Sequence, residues 1–286
     1  MCDDKHKGLV PYTEYNRRQF AALAMATAAA ATVPGIAWGQ GKVTERTVQI
    51  KTPDGTADAL LLLPGRKSAP GVIVWPDIGG LRPATADIGR RLAGQGYVAL
   101  VVNPFYRSGD AAAVAPRGTG QDPAERERKS AMRALITDEG VAGDARALIA
   151  FLDALPETSN AKVGVQGYCM GGPLSFRTAA AVPGRIGAVG SFHGGGLVTK
   201  APNSPHLLIE KSKARYLVAV AKNDDANDPT AKDVLRETFA KTGRKAVVEV
   251  YGGNHGWCVP DSSSYDRPEA ERAWAALTEL YKEALA

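Results

Sequence analysis

A hexapeptide in the middle of the chain has the residue types and spacing of a nucleophile held on a sharp turn. Gly-Tyr-Cys-Met-Gly-Gly (residues 167–172) follows an apolar run, Lys162–Gln166, that predicts a strand. The spacing is that of the G-x-S-x-G motif with cysteine in the serine position. Small residues are needed because side chains two positions from the nucleophile would collide in so tight a turn. We predict that Cys169 projects at the start of a helix, where the positive helix end favours a thiolate; the alternative is a buried structural cysteine.

A cysteine nucleophile needs a base and an acid that orients the base. With this kind of turn, the acid and then the histidine are expected to follow the nucleophile along the chain. Asp224 and Asp225 come after the predicted strand Arg215–Ala221, and His255 comes after an apolar run ending at Tyr251. We assign His255 as the general base and Asp224 as the residue that orients it, with Asp225 as the alternative to Asp224.

Two backbone N–H groups are candidates for holding the negative charge that develops on a substrate carbonyl oxygen. One belongs to Met170, directly after the nucleophile, and the other to Ile78, in the loop before the glycine pair 79–80. His193 also follows a predicted strand, but it precedes both acids, which is the wrong order for the base. We place His193 in the pocket wall, where structural hydrogen bonding is the favoured role and substrate binding is the other candidate role.

These candidates all follow short apolar segments that alternate with amphipathic ones. Strands are predicted at Val43–Thr52, Ala59–Leu63, Gly71–Trp75, Tyr97–Val102, Lys162–Gln166, Ile186–Phe192, Arg215–Ala221 and Ala246–Tyr251. Helices are predicted at Ala84–Gln95, twice within Asp122–Leu155 with a break near Asp138-Glu139-Gly140, and at Gly171–Ala181, Thr230–Thr242 and Pro268–Ala284. The alternation predicts an α/β fold, a mostly parallel sheet with helices on both faces. In such a sheet the loops at the carboxyl ends of the strands bring the candidate residues together.

The composition is that of a folded protein. The 286 residues are 44% hydrophobic and 23% charged, which excludes a disordered chain, a collagen or a coiled coil. Lys and Arg number 35 and Asp and Glu 30, a net charge of +5, without the clustering of a nucleic-acid-binding surface. Three cysteines are too few for a disulfide framework. The histidines lack zinc spacing, so we expect no metal and no cofactor.

The first forty residues have the pattern of an export signal. Arg17-Arg18 followed by Gln19-Phe20 matches a twin-arginine signal. The uncharged run 20–38 is rich in Ala and Thr, which suits transient engagement better than permanent membrane spanning. We predict a signal peptide at 1–39, one α/β domain at 40–286, the twin-arginine export machinery as a partner, and a periplasmic or secreted protein. A surface helix with a chance arginine pair and an uncleaved anchor are the alternatives.

The hexapeptide around Cys169, the Asp224 loop and Asn-His-Gly-Trp (residues 254–257) together resemble the dienelactone hydrolase family of α/β hydrolases. The resemblance covers the chain from about Val43 onward. Residue by residue, it implies a catalytic triad of Cys169, Asp224 and His255, with Met170 and Ile78 as the oxyanion donors.

The same resemblance implies which residues meet the substrate. A well-known member carries a glutamate beside the nucleophile, and Asp77 stands at that position here, one methylene shorter. That member also binds a substrate carboxylate with two arginines. Arg107 lies in the loop that carries the first of these arginines, and Val259 stands at the position of the second arginine. Arg82 is interpreted as a surface residue, with the alternative that it substitutes for the second arginine. Asp77, Arg107, Trp257 and His193 are therefore the substrate-binding candidates, and a different or less acidic substrate is expected.

The resemblance implies hydrolysis of a small ester or lactone, of the carboxymethylenebutenolidase type, through a thioester intermediate and without a cofactor. A non-catalytic protein that binds a small ligand on a hydrolase scaffold is the alternative function. A redox-responsive protein is a third possibility, because Cys258 lies three residues after His255 and oxidation could join it to Cys169.

Overall fold

The computed structural model describes residues 42–117 and 122–285. The predicted signal peptide at residues 1–39 lies outside these residues. In the part that is described, no helix is both long enough and apolar enough to cross a membrane.

The described chain alternates strands and helices. The strands are β1 (Thr44–Thr52), β2 (Gly55–Leu63), β3 (Gly71–Trp75), β4 (Val98–Val102), β5 (Val163–Tyr168), β6 (Ile186–Phe192), β7 (Arg215–Ala221) and β8 (Ala246–Tyr251). The α-helices are α1 (Pro83–Gly94), α2 (Ala111–Val114), α3 (Pro123–Ala134), α4 (Asp138–Asp153), α5 (Gly171–Ala181), α6 (Lys222–Asn227), α7 (Ala231–Thr242) and α8 (Arg267–Ala284). Short 3₁₀ helices lie at Tyr106–Ser108 and Pro205–Lys211.

The strands form one sheet in the order β1-β2-β4-β3-β5-β6-β7-β8. The hairpin β1–β2 and the pair β2–β4 are antiparallel, and every neighbouring pair from β4 to β8 is parallel. The predicted α/β fold with a mostly parallel sheet is confirmed. Because the carboxyl ends of parallel strands lie at one edge, the loops after β3, β5, β6, β7 and β8 meet there.

The apolar runs that predicted the central strands are buried on both faces of the sheet. In β3, Val72 and Val74 pack in a cluster with Leu92 of α1, whereas Ile73 and Trp75 pack in a cluster with Leu148 of α4. Burying a side chain of this size contributes roughly 1.5–3 kcal/mol. The two clusters make the sheet a rigid platform for the loops at its edge.

Strand β2 begins at Gly55 and not at Ala59, and the short helices Ala111–Val114 and Pro205–Lys211 were not predicted. Two other differences lie near candidate residues or between predicted helices. The break between α3 and α4 falls at residues 135–137 and not at 138–140, because the Thr137 hydroxyl accepts the Gly140 N–H at 3.0 Å and caps α4. Asp224 and Asp225 lie in the short helix α6 and not in an open loop. Neither difference moves a candidate residue away from the carboxyl edge of the sheet.

Candidate active site

The turn between β5 and α5 holds Cys169 in a strained backbone conformation. Its φ angle is 52°, in the left-handed region that residues other than glycine seldom adopt. A Cβ on Gly167 would overlap the carbonyl oxygen of Gly171, and a Cβ on Gly171 would overlap the carbonyl oxygen of Trp75. The glycine requirement deduced from the sequence therefore has a steric origin in the fold. Cys169 is half-buried, directly before the N-terminus of α5.

The loops after β7 and β8 bring an acid and a histidine to the same place. His255 Nδ1 lies 2.7 Å from Asp224 Oδ2. The His255 backbone N–H donates to Asn223 Oδ1, also at 2.7 Å, which ties the two loops together. Asp225, the alternative acid, instead pairs with Lys232 Nζ at 2.7 Å. The acid that orients His255 in this structure is Asp224.

The other interaction of the His255 ring is with the nucleophile candidate. A hydrogen bond to Cys169 raises the pKa of His255 to about 9, and the Asp224 carboxylate adds to this against the opposing effect of burial. A histidine with this pKa keeps its proton at neutral pH. The arrangement therefore favours an imidazolium that lies between the Cys169 side chain on one side and the Asp224 carboxylate on the other.

The two oxyanion candidates lie on either side of the Cys169 turn. Met170 caps the N-terminus of α5 and is buried, whereas Ile78 is 38% exposed in the loop after β3. In the turns and loops of the described chain, neither backbone N–H donates to a carbonyl group. Gly80 has a φ of 73°, which lets this loop turn back sharply. Both N–H groups thus remain available to an acceptor from outside.

Asp77, the first of the substrate-binding candidates, is held by an arginine. Arg82 Nη1 lies 2.7 Å from Asp77 Oδ1, and Arg82 Nε lies 2.7 Å from Asp261 Oδ2. The interpretation of Arg82 as a surface residue is wrong, because it is only 5% exposed. Burial alone would raise the pKa of Asp77, but the Arg82 guanidinium holds it below its usual range. A carboxylate bound in this way is poorly placed to take a proton from a thiol.

Arg107, the second candidate, is also engaged within the protein. Its Nη1 lies 3.0 Å from Asp144 Oδ2, and its Nη2 lies 2.6 Å from Asp54 Oδ2. A substrate carboxylate would have to displace one of these acids. Val259 is fully buried, so no cation takes the second arginine position. A substrate-binding role for Arg107 stays a prediction.

His193 and Trp257 pack behind the catalytic histidine candidate. His193 is 1% exposed, has a φ of 39°, and its ring centre lies 4.7 Å from that of His255. Neither ring nitrogen is hydrogen-bonded to another side chain among the described residues. Burial, aided by the charge of His255, lowers the pKa of His193 to about 3, which keeps it neutral. Trp257 is fully buried and stacks on Tyr251. Contact of either residue with substrate stays a prediction.

The sequence analysis missed an apolar cluster with a buried cation at the nucleophile. Cys169 packs against the cluster, whose buried members are Phe105, Val114, Met132 and Met170. Lys129 Nζ lies 4.9 Å from the centre of the Phe105 ring and donates to the Val114 carbonyl at 2.9 Å. Burial and the charge of Arg128 lower the pKa of Lys129 to about 8.

A sequence signal for this cluster exists in α3. Glu125, Lys129 and Met132 are its buried residues, and they recur at i, i+4 and i+7, the period of one helix face. Because two of the three are charged, the pattern does not read as a buried face.

Two of the three cysteines lie within the described residues, 42–117 and 122–285. Cys169 and Cys258 are both free thiols there. Cys258 is half-buried, and its burial raises the pKa of the thiol well above the usual range. No group of three or more His, Cys, Asp or Glu side chains in these ranges could hold a metal ion.

Comparison with known proteins assigns the chain to a family. The model of the dienelactone hydrolase family matches residues 57–285. A carboxymethylenebutenolidase from Pseudomonas putida is 31% identical over 219 residues, which cover 76% of this chain and 88% of the relative.

Two solved structures share the fold. A candidate dienelactone hydrolase from Klebsiella pneumoniae has a TM-score of 0.73 and 20% identity over 84% of this chain and 99% of that chain. A dienelactone hydrolase-like promiscuous phosphotriesterase from metagenomic libraries has a TM-score of 0.68 and 22% identity over 85% of this chain and 99% of that chain. With a family match over most of its length and a relative above 30% identity, the chain belongs to the dienelactone hydrolase family of α/β hydrolases.

Proposed function

We propose that this hydrolase cleaves a small carboxylic ester or lactone through a thioester on Cys169. The observation that carries the proposal is the arrangement of Cys169, His255 and Asp224: the His255 ring interacts with the Cys169 side chain and lies 2.7 Å from the Asp224 carboxylate. Such an arrangement supplies a charged nucleophile, a proton carrier and a residue that fixes the carrier's orientation.

In the first half-reaction the Cys169 sulfur attacks the carbonyl carbon of the ester. The carbonyl electron pair moves onto oxygen, where the N–H groups of Met170 and Ile78 stabilise it. When the tetrahedral adduct collapses, the carbon–oxygen bond to the alkoxide breaks and His255 donates its proton to the departing oxygen. The products of this step are an alcohol and a thioester on Cys169; from a lactone, the alcohol stays attached to the acyl group.

In the second half-reaction His255, now neutral, accepts a proton from water as the water attacks the thioester carbonyl. The same two N–H groups hold the second oxyanion. Collapse breaks the carbon–sulfur bond and returns the thiolate beside the charged His255. Asp224 stabilises that charge in both halves and keeps the proton of Nδ1 directed toward itself.

The surroundings of Cys169 support a substrate with an apolar acyl part and a negative group. The apolar part matches Phe105, Met132 and Met170, which pack at the nucleophile. The negative group matches Lys129, whose ammonium group is buried against Phe105 and donates to the Val114 carbonyl. A cation in this position attracts a carboxylate more strongly than it would in water.

The test of the proposed function compares Cys169→Ala with Cys258→Ala on a panel of aryl esters and lactones. Cys258→Ala is the matched control, because it removes the other described thiol and leaves Cys169 in place. We expect the control to keep wild-type turnover and Cys169→Ala to lose it while remaining folded. Cys169→Ser should turn over poorly, because His255 is poised to hold a proton and not to take one from an alcohol. Substantial hydrolysis by Cys169→Ala would contradict the proposal.

We also propose that residues 1–39 are a twin-arginine signal, that residues 40–286 form the exported domain, and that the enzyme acts in the periplasm or outside the cell. The support is the Arg17-Arg18 pair followed by the uncharged run 20–38. Export of the full chain from bacterial cells should stop in an R17K/R18K variant. Unchanged export of that variant would contradict the proposal.

A further inference from the structure

A buried ion triad lies next to the proposed active site and has no part in the reaction described above. The Arg82 guanidinium binds Asp77 through two hydrogen bonds, of 2.7 and 2.9 Å, and Asp261 through two more, of 2.7 and 2.8 Å. The Arg82 side chain is 6% exposed, and those of Asp77 and Asp261 are 13% and 5% exposed. Only a planar guanidinium presents enough donors in fixed directions to hold two carboxylates in this way.

The two carboxylates belong to different loops of the site. Asp77 lies in the loop after β3, residues 76–80, which we call the oxyanion loop because it carries Ile78. Asp261 lies in the loop after β8, residues 252–266, which we call the histidine loop because it carries His255. Strands β3 and β8 are separated in the sheet by β5, β6 and β7, so no sheet hydrogen bond relates the two loops directly. Arg82 joins them through one side chain.

The triad also determines the shape of the oxyanion loop itself. Asp77 Oδ1 accepts the Gly79 N–H at 2.7 Å, and the Asp77 carbonyl accepts the Gly80 N–H at 2.9 Å. Arg82 Nη1 donates to the Gly80 carbonyl at 3.3 Å. A Cβ on Gly79 would lie 2.5 Å from Arg82 Nη1, so the loop is folded directly against the guanidinium. The direction of the Ile78 N–H, between Asp77 and Gly79, follows from these contacts.

We propose that Arg82 is a positioning residue, which holds the oxyanion loop at a fixed place relative to the nucleophile and the histidine loop. The inference rests on the proposed function, since it assigns Ile78 to the oxyanion. His255 is held independently by Asp224 and Asn223, so loss of Arg82 displaces the Ile78 donor more than it displaces the base. A misplacement of about 1 Å at a reacting centre costs up to about a hundredfold in rate.

The test uses Arg82→Lys and Arg82→Met with two readouts, kcat for an aryl ester and the rate of Cys169 alkylation by iodoacetamide. Alkylation needs the thiolate but no oxyanion donor, so the two readouts separate the loop from the nucleophile. We expect kcat to fall about tenfold or more in Arg82→Lys and further in Arg82→Met, because a lysine can satisfy one carboxylate but not both. Alkylation should stay within about threefold of the wild-type rate in both.

Arg90→Met is the matched control for these variants. Arg90 lies on α1, the helix that Arg82 precedes as N-cap, and binds Glu45 through two hydrogen bonds of 2.7 and 2.8 Å, but this pair is partly exposed and away from the site. It should keep wild-type values of both readouts. Should Arg82→Met fail to fold, Asp261→Asn removes the carboxylate that connects the loops, leaves the Arg82–Asp77 pair, and should still lower kcat more than alkylation.

Two results would overturn the inference: folded Arg82 variants with wild-type kcat, or alkylation and kcat falling in parallel, as a loss of general structure would cause. These are distinct from failure of the proposed function. That failure would appear as hydrolysis by Cys169→Ala, whatever the Arg82 variants do.

Discussion

Replacing His193 by phenylalanine should change how the stability of the enzyme depends on pH, by an amount that the structure sets. The pKa of His193 is lowered to about 3 in the folded protein, whereas an unfolded histidine titrates near 6.5. Between these two values the unfolded chain binds a proton that the folded chain does not, so stability falls as the pH falls. From pH 8 to pH 5 this difference costs ~2 kcal/mol, and any folded pKa below about 4 gives the same figure.

The assay is urea unfolding of the wild type and of His193→Phe at pH 8 and pH 5. We expect the loss of unfolding free energy between the two pH values to be ~2 kcal/mol larger in the wild type. The opposite contribution of His255, whose raised pKa stabilises the folded state as the pH falls below about 9, is common to both proteins and cancels.

A second variant, His193→Asn, separates the protonation effect from packing. Asparagine tolerates the positive φ of this position and does not titrate, but it leaves space where the ring was. Its absolute stability should therefore differ from that of the Phe variant, while its pH dependence should be the same. If the wild type and both variants lose equal stability between pH 8 and pH 5, His193 is not held neutral and the account of this position is refuted.

Three further predictions concern other parts of the site. In Asp224→Asn the alkaline limb of the kcat/KM profile should move to lower pH, because loss of the carboxylate lowers the pKa of His255; an unmoved limb would exclude Asp224 as its partner. Lys129→Met should raise KM about tenfold or more for an anionic aryl ester and change KM little for a neutral ester of the same size. Steady-state kinetics on the two esters measures this, and an equal change in KM for both would refute the role of this cation. Gly167→Ala should lower the free energy of unfolding by several kcal/mol, because the new Cβ overlaps the Gly171 carbonyl. An unchanged midpoint temperature of thermal unfolding would show that the glycine is not required for steric reasons.

The parts of the fold that could be predicted from the sequence are those encoded locally. The five-residue run Gly71–Trp75 is continuously apolar, and it forms a strand buried on both faces. The turn around Cys169 could be identified because the cysteine and the glycines that the turn requires lie within six consecutive residues. His255 and Asp224 could be placed together because the carboxyl ends of parallel strands share an edge, whatever the loops between them do.

What could not be predicted depends on contacts between distant segments. Arg82 and Asp261 are 179 positions apart, and nothing local indicates that a charged residue between a glycine pair and a helix will be buried. Lys129 lies on a helix with mostly polar residues, so its burial becomes visible only when Phe105 and Val114 are packed against it. The environment of His193 could not be predicted either. Its ring is buried, its nitrogens have no side-chain partner among the described residues, and its neighbour is the ring of His255.

The most direct test of the central claim is to trap the acyl group on the enzyme. The full chain is mixed with an aryl ester, quenched in acid within milliseconds, digested, and the peptide containing Cys169 is weighed by mass spectrometry. If Cys169 is the nucleophile, this peptide gains the mass of the acyl group at a rate no slower than turnover. Hydroxylamine then removes the acyl group, as expected of a thioester. A burst of product with the Cys169 peptide unmodified, or an acyl group carried by another residue, would contradict it.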